Sequence, residues 1–320
     1  MSAATAVAVA ASLTGAGSTL VQPLMARWTS DFQHRTGNSV TYAGVGSGAG
    51  IQDVSSRTVD FGASDAPLTP AQAAACHGCV QVPWALTATA IGYNVPGVHG
   101  LHLSGGLLAK IYLGQVTNWN SPDIARLNKG KNLPNLKITP VYRSEGSGDT
   151  YAFTDFLSRT SPTWRSQVGR GTAVSFRTGI GEHGNSGVTA GVTGTPGAVG
   201  YIAASYLIAH GVPAAALQNA AGRFEYPNIS NIVNAARSVK RVPANNEMHI
   251  VYPSATYSIA YPLSTFTYAI APLSSGKGAT LAQFIRYAVG PGQAFGLSLD
   301  FAPLPGVVRG AALRTANRLH

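Results

Sequence analysis

Three stretches of this chain share one local design, and that design narrows what it can fold into. GAGST (15–19), GVGSGAG (44–50) and RSEGSGDT (143–150) each follow a run that reads as a strand, turn through glycines, and place Ser or Thr where a helix begins. Repeated strand–turn–helix units build sheets covered by helices. They also carry a chemical possibility. A helix start has unpaired backbone N–H groups and a partial positive charge, and a Ser or Thr hydroxyl adds another donor. Glycine lets backbone approach a ligand without side-chain obstruction. One such turn is commonly just a well-capped helix, but three in one chain, with Arg143 beside the third, point to an anion site.

The rest of the pattern alternates in the same way. Leu20, Val21, Leu24, Met25, Trp28 and Phe32 repeat at helical spacing before Gly37, so a first helix is expected to begin at Ser18-Thr19. Strands are expected at 39–43 and 59–63, and near 80–93, 137–142, 172–176, 198–202 and 257–271. Helices are expected from the second turn through Arg57, after Thr69-Pro70, and near 104–113, 121–128, 148–159, 185–192, 228–240, 279–289 and 304–316. The 320 residues, with 37 glycines and 19 prolines, suit an α/β protein long enough for two domains. No linker-like stretch divides the chain, so ordinary strands must join any two domains.

Charge and targeting signals exclude several classes. The balance of 22 basic to 12 acidic residues gives a formal +10, yet the basic residues are scattered. Their densest run, Arg237-Ser238-Val239-Lys240-Arg241, reads as the polar end of a helix, so no nucleic-acid partner is expected. The first thirteen residues, MSAATAVAVAASL, carry no Lys or Arg and are too short to cross a membrane. They read as a mature-like N-terminus with no export signal. Cys76-His77-Gly78-Cys79 follows an alanine-rich stretch that should be ending a helix, unlike a thioredoxin-type site, and no second pair exists to complete a zinc site. A short-loop disulfide between Cys76 and Cys79 is expected, implying an oxidising, exported location, with a reduced pair as the alternative.

Enzyme signatures are missing. Neither Ser47 nor Ser147 has the flanking glycines of a nucleophile elbow, and no turn ends in the Gly-Lys-Ser/Thr of a nucleotide P-loop. Gly179, Gly181 and Gly184 match GxGxxG, but no acid lies between 201 and 224 to hold a ribose. The eight histidines show no metal-ligand spacing, so neither metal nor cofactor is expected.

LTGAGSTL (13–20), VTYAGVGSGAGIQDV (40–54), VDFGASDAPL (59–68), IYLGQVTNWN (111–120), YRSEGSGDTYAFTDFLS (142–158) and GNSGV…PGAVGYI (184–202) resemble the high-affinity phosphate-binding proteins of ABC transporters, in order along nearly the whole chain. The resemblance implies a two-lobed periplasmic-binding-protein-like fold of type II, with mixed sheets flanked by helices and the ligand in the cleft between lobes. Lobe one would hold residues 1–92 and 255–320, and lobe two 93–254. It further implies a monomeric, extracytoplasmic receptor that binds inorganic phosphate, passes it to the membrane permease subunits of an importer, and catalyses nothing.

Carried over by position, Thr19, Leu20, Ser47, Ser147 and Gly148 would be donors, Asp65 a carboxylate acceptor and Arg143 the cation. Two positions depart from the family pattern. Asp149 replaces a common Thr, keeping its N–H but turning its side chain into an acceptor, and Glu145 replaces an Asp that orients the Arg. Asp65 and Asp149 are both expected to face the ligand, unless Asp149 turns away to cap its own helix. Asp65 supplies the selectivity. A buried carboxylate repels an anion unless the anion brings a proton to bridge them, which phosphate does near neutral pH and sulfate does not. Other readings are a receptor for arsenate or phosphite, a phosphate-ester hydrolase, and a sensor or adhesin detached from transport.

Overall fold

The computed structural model describes residues 10–320, so the expectation for the N-terminal segment falls largely outside the described residues. Eleven strands form along the described chain: β1 (Ser12–Gly17), β2 (Ser39–Gly44), β3 (Phe61–Ser64), β4 (Cys79–Tyr93), β5 (His102–Leu103), β6 (Thr139–Arg143), β7 (Ile180–Glu182), β8 (Ala198–Ala203), β9 (Ala216–Gln218), β10 (Phe224–Glu225) and β11 (Ser264–Pro272). Eight of them make one mixed sheet in the order β2-β1-β3-β11-β4-β8-β6-β7, and β10-β9-β5 make a small second one. The fold class is the expected one.

One strand joins the two halves of the large sheet. From Cys79 to Ala88, β4 pairs antiparallel with β11; from Thr89 to Tyr93 it pairs antiparallel with β8. β1 is parallel to β2 and β3 in one half, and β6 is parallel to β7 and β8 in the other. Such strands need crossover helices, which cover the sheet faces. Each half fills with aromatics. Trp28 and Trp84 meet edge to face at 5.4 Å beside Phe61 and Phe284, and Tyr112, Phe153, Phe176 and Tyr201 cluster in the other half. Polar tips in these clusters are paired: Trp28 Nε1 donates to Gly292 O, and Tyr112 Oη donates to Val141 O.

The first helix runs Gln22–Thr36 from an N-cap at Val21, later than expected, which releases Ser18 and Thr19 for other contacts. Thr69 caps the helix Pro70–Ala75 with a reciprocal capping box to Gln72. Residues 172–176 form no strand, because β7 already occupies that sheet edge and Phe176 stacks on Tyr142 at 4.5 Å. In the stretch 257–271 the strand begins only at Ser264, and the expected helix at 228–240 ends at Ala236, so the Arg237–Arg241 run lies beyond it. Helices Pro162–Gln167 and Ala204–Ala209 were not anticipated. Cys76 and Cys79 are joined as a disulfide. Arg57 Nη2 donates to Cys76 O and His77 O beside it.

Candidate functional site

The carboxyl ends of β1, β2 and β3 from one half and of β6 and β7 from the other, which run in opposite directions, meet where the halves of the sheet join, the usual place for ligand crevices in open α/β sheets. β1 leads into Ser18-Thr19-Leu20, β2 into Ser47, and β3 into Asp65; opposite them, β6 leads into the turn 143–149 and β7 into Gly184-Asn185. Helices Ser47–Ser55, Gly148–Thr160 and Gly184–Gly194 begin there. Gly46 precedes the first of these with φ 95°, and a Cβ on it would stand 2.9 Å from Glu145 Cγ, so this approach of the two halves requires glycine. Gly148 is just as constrained: a Cβ there would lie 2.4 Å from Asp65 Cβ.

Asp65 sits at the centre, 2% exposed. Ser18 Oγ lies 2.7 and 2.6 Å from its two oxygens, and Ser47 Oγ is 3.4 Å from Oδ2. Ser47 Oγ also accepts from Gly148 N at 3.1 Å, and Gly48 N donates to Gly146 O, so the halves touch directly. Burial and then the nearby charge of Asp149 push the Asp65 pKa up to about 7, against the downward pull of Ser18, Arg143 and Ser47.

Arg143 enters from the other half with its side chain 1% exposed. Its Nε donates to Glu145 Oε1 at 2.8 Å, Nη2 donates to the same oxygen, and Nη1 donates to Asp149 Oδ2 at 2.9 Å. Tyr201 Oη accepts from Arg143 N at 2.9 Å and bonds Thr150 Oγ1 at 2.8 Å, fixing the backbone beneath the guanidinium. Both oxygens of the Asp149 carboxylate are engaged: Thr89 donates to Oδ1 at 2.6 Å, and Asn185 Nδ2 and Arg143 share Oδ2. Burial raises the Asp149 pKa, with Arg143, Thr89 and Asn185 pulling the other way.

This arrangement corrects the expectation that the Asp149 side chain either faces the ligand or caps its helix. The helix is capped by Ser147, whose Oγ accepts from Thr150 N, and the Asp149 carboxylate serves as counter-ion to Arg143. Its N–H lies in the first helical turn, where no intrahelical acceptor takes it. Thr19 Oγ1 accepts from Asn185 Nδ2 at 3.0 Å across the junction, while Leu20 N donates to Ser18 Oγ at 3.0 Å. The structure therefore gathers Thr19, Leu20, Ser47, Asp65, Arg143, Glu145, Ser147, Gly148 and Asp149 in one place.

Ser18, Thr89, Asn185 and Tyr201 also belong to this cluster and were missed in the sequence. Ser18 reads as a cap. Asn185 follows the GxGxxG stretch, which is in fact a fourth strand–glycine–helix turn of the same design.

Two half-sheets joined through a single strand, with helix starts from both converging on the junction, define a two-lobed solute-binding protein. The PBP superfamily domain is matched over residues 2–291. The phosphate-binding protein PstS of Pasteurella multocida is 35% identical over 301 residues, which is 92% of this chain and 87% of that protein. That of Haemophilus influenzae is 35% identical over 303 residues, 93% of this chain and 90% of its own. Among solved structures, a phosphate-binding protein from Stenotrophomonas maltophilia superposes with TM-score 0.76 at 20% identity, covering 95% of this chain and 93% of that one. The chain belongs to the PstS phosphate-binding protein family of the PBP superfamily.

Proposed function

We propose that the protein binds one inorganic phosphate ion between its lobes and delivers it to an ABC importer. The observation that carries this reading is Asp65, an enclosed carboxylate placed where helix starts and Arg143 converge. Backbone N–H groups at Ser47, Gly148 and Asp149, the hydroxyls of Thr19, Ser47 and Ser147, and Arg143 supply donors for an oxyanion, while Leu20 N, the donor carried over from the family, is held by Ser18 Oγ. Asp65 admits only an oxyanion that carries a proton, since sulfate would set two acceptors against each other in a dry cleft, at a cost of several kcal/mol. Entry of phosphate exchanges the direct Ser47–Gly148 bond for bonds to the ligand, so the lobes must part and close again.

The relatives are named phosphate-binding proteins, which supports a purely binding role for this chain. The lobes are taken as 1–92 with 255–320, and 93–254, a boundary that lies within β4 beyond the switch at Ala88–Thr89. The protein acts as a monomer outside the cytoplasmic membrane and docks on permease subunits. In support, it carries a disulfide, and no helix among the described residues is long and apolar enough to cross a membrane. Calorimetry on protein stripped of phosphate tests the reading. Saturable phosphate binding with no response to sulfate is expected; silence toward millimolar phosphate refutes it, and arsenate competition ranks the protonated oxyanions.

A further inference from the structure

The hydroxyl of Ser18 has a forced orientation. Its oxygen accepts from Leu20 N at 3.0 Å and Val21 N at 3.4 Å, so its lone pairs face the chain leading into the first helix. Its single proton is left to point at Asp65, whose oxygens stand 2.7 and 2.6 Å away. Ser18 is 1% exposed, and Tyr42 Oη donates to its carbonyl oxygen at 2.7 Å, which pins the residue further. A protonated Asp65 would find no acceptor in a hydroxyl committed in this way. The contact therefore favours the ionised carboxylate.

We infer that Ser18 is a positioning residue that sets the selectivity of the site, by holding Asp65 ionised so that the proton in the bridge must come from the ligand. The inference rests on the phosphate-binding reading and deepens it. Without Ser18, Asp65 can take up its own proton and donate to an unprotonated oxyanion, and discrimination against sulfate relaxes. The titratable and charged groups facing Asp65 are Asp149 and Arg143 across the cleft and Tyr42 beside Ser18; Ser47 and Gly148 N are its uncharged neighbours. Asp149 favours protonation, whereas Arg143, Ser47 and Ser18 oppose it, and Ser18 is the largest of the opposing influences.

The test is calorimetry with phosphate and with sulfate on wild type, Ser18→Ala and Ser18→Thr, from about pH 5.5 to about pH 8.5. A hydrogen bond to a carboxylate is strong enough to move the phosphate-to-sulfate ratio about tenfold. The expected result is that Ser18→Ala loses at least that much discrimination just above pH 7, where wild-type Asp65 is ionised and the variant still keeps its proton, and shifts its binding profile to higher pH, while Ser18→Thr restores both. Superimposable profiles and equal selectivity in wild type and Ser18→Ala overturn the inference, and wild type that ignores phosphate overturns the functional reading instead. Should Ser18→Ala fail to fold, the Asp65 carboxyl can be titrated by carbon NMR in wild type and Ser18→Thr. A midpoint clearly above neutrality in phosphate-free protein then contradicts the role given to Ser18, and one at or below neutrality supports it.

Discussion

Arg143 Nη1 and Asp149 Oδ2 stand 2.9 Å apart with side chains 1% and 0% exposed, an ion pair sealed inside the cleft. Arg143 also holds Glu145, so the cation carries two carboxylate partners before any ligand arrives. Phosphate therefore meets a site whose fixed charges do not favour a dianion, and its hydrogen bonds and protons must decide binding.

Removing the carboxylate of Asp149 should have two separable effects. Breaking a buried pair costs roughly 3 kcal/mol, which urea denaturation of Asp149→Asn would register. The Asp149 charge also helps raise the pKa of Asp65, so its loss should move the Asp65 midpoint down from about 7. The pH profile of phosphate binding in Asp149→Asn and Asp149→Thr would then shift to lower pH, opposite to the shift expected for Ser18→Ala. Unchanged stability together with an unmoved profile would show the pair to be inert.

Stability of phosphate-free protein should fall as pH rises. Asp65 titrates near 7 in the folded chain against about 3.9 when unfolded, so between those values the folded state binds the extra proton. Stability is then lost progressively over that window, by a few kcal/mol, and stays low above it. Asp300, raised by burial to about 6, contributes in the same direction. Thermal melts at stepped pH should show this decline, and Asp65→Asn should flatten most of it.

A methyl group at Gly148 would collide with the side chain of Asp65. Gly148→Ala should therefore keep the halves apart and cost phosphate affinity at least about a hundredfold, since several donors lose their geometry together. Small-angle scattering should find the variant no more compact with phosphate than without, whereas wild type contracts.

The disulfide closes a loop with a sequence separation of 3, so its removal should cost only about 2 kcal/mol. Cys76→Ser with Cys79→Ser should unfold at lower urea yet bind phosphate as wild type does. A change in affinity would mean that the loop reaches the cleft.

The strand–glycine–helix turns were legible because caps and tight turns are local chemistry, readable over a few residues. Arg143 was legible beside the third of them, whereas Asp65 was reached only through the family resemblance. The roles of Ser18 and Asp149 were not, since each depends on partners 47 and 60 residues away in Asp65 and Thr89. Asn185 was not legible either, since its side chain gains its role only from Thr19 and Asp149, which are distant in sequence. Residues 172–176 carry strand-forming side chains, but whether a strand forms depends on a free sheet edge, which local sequence does not report.

The passage of β4 through both halves bears on how the molecule comes apart. Its amides are bonded to β11 on one side of Ala88 and to β8 beyond it. Losing either half strips partners from a strand the other half still needs, so neither should melt as an independent unit. The protein should show one cooperative unfolding transition, with the slowest-exchanging backbone hydrogens concentrated along this strand even though it lies at the pivot between the lobes.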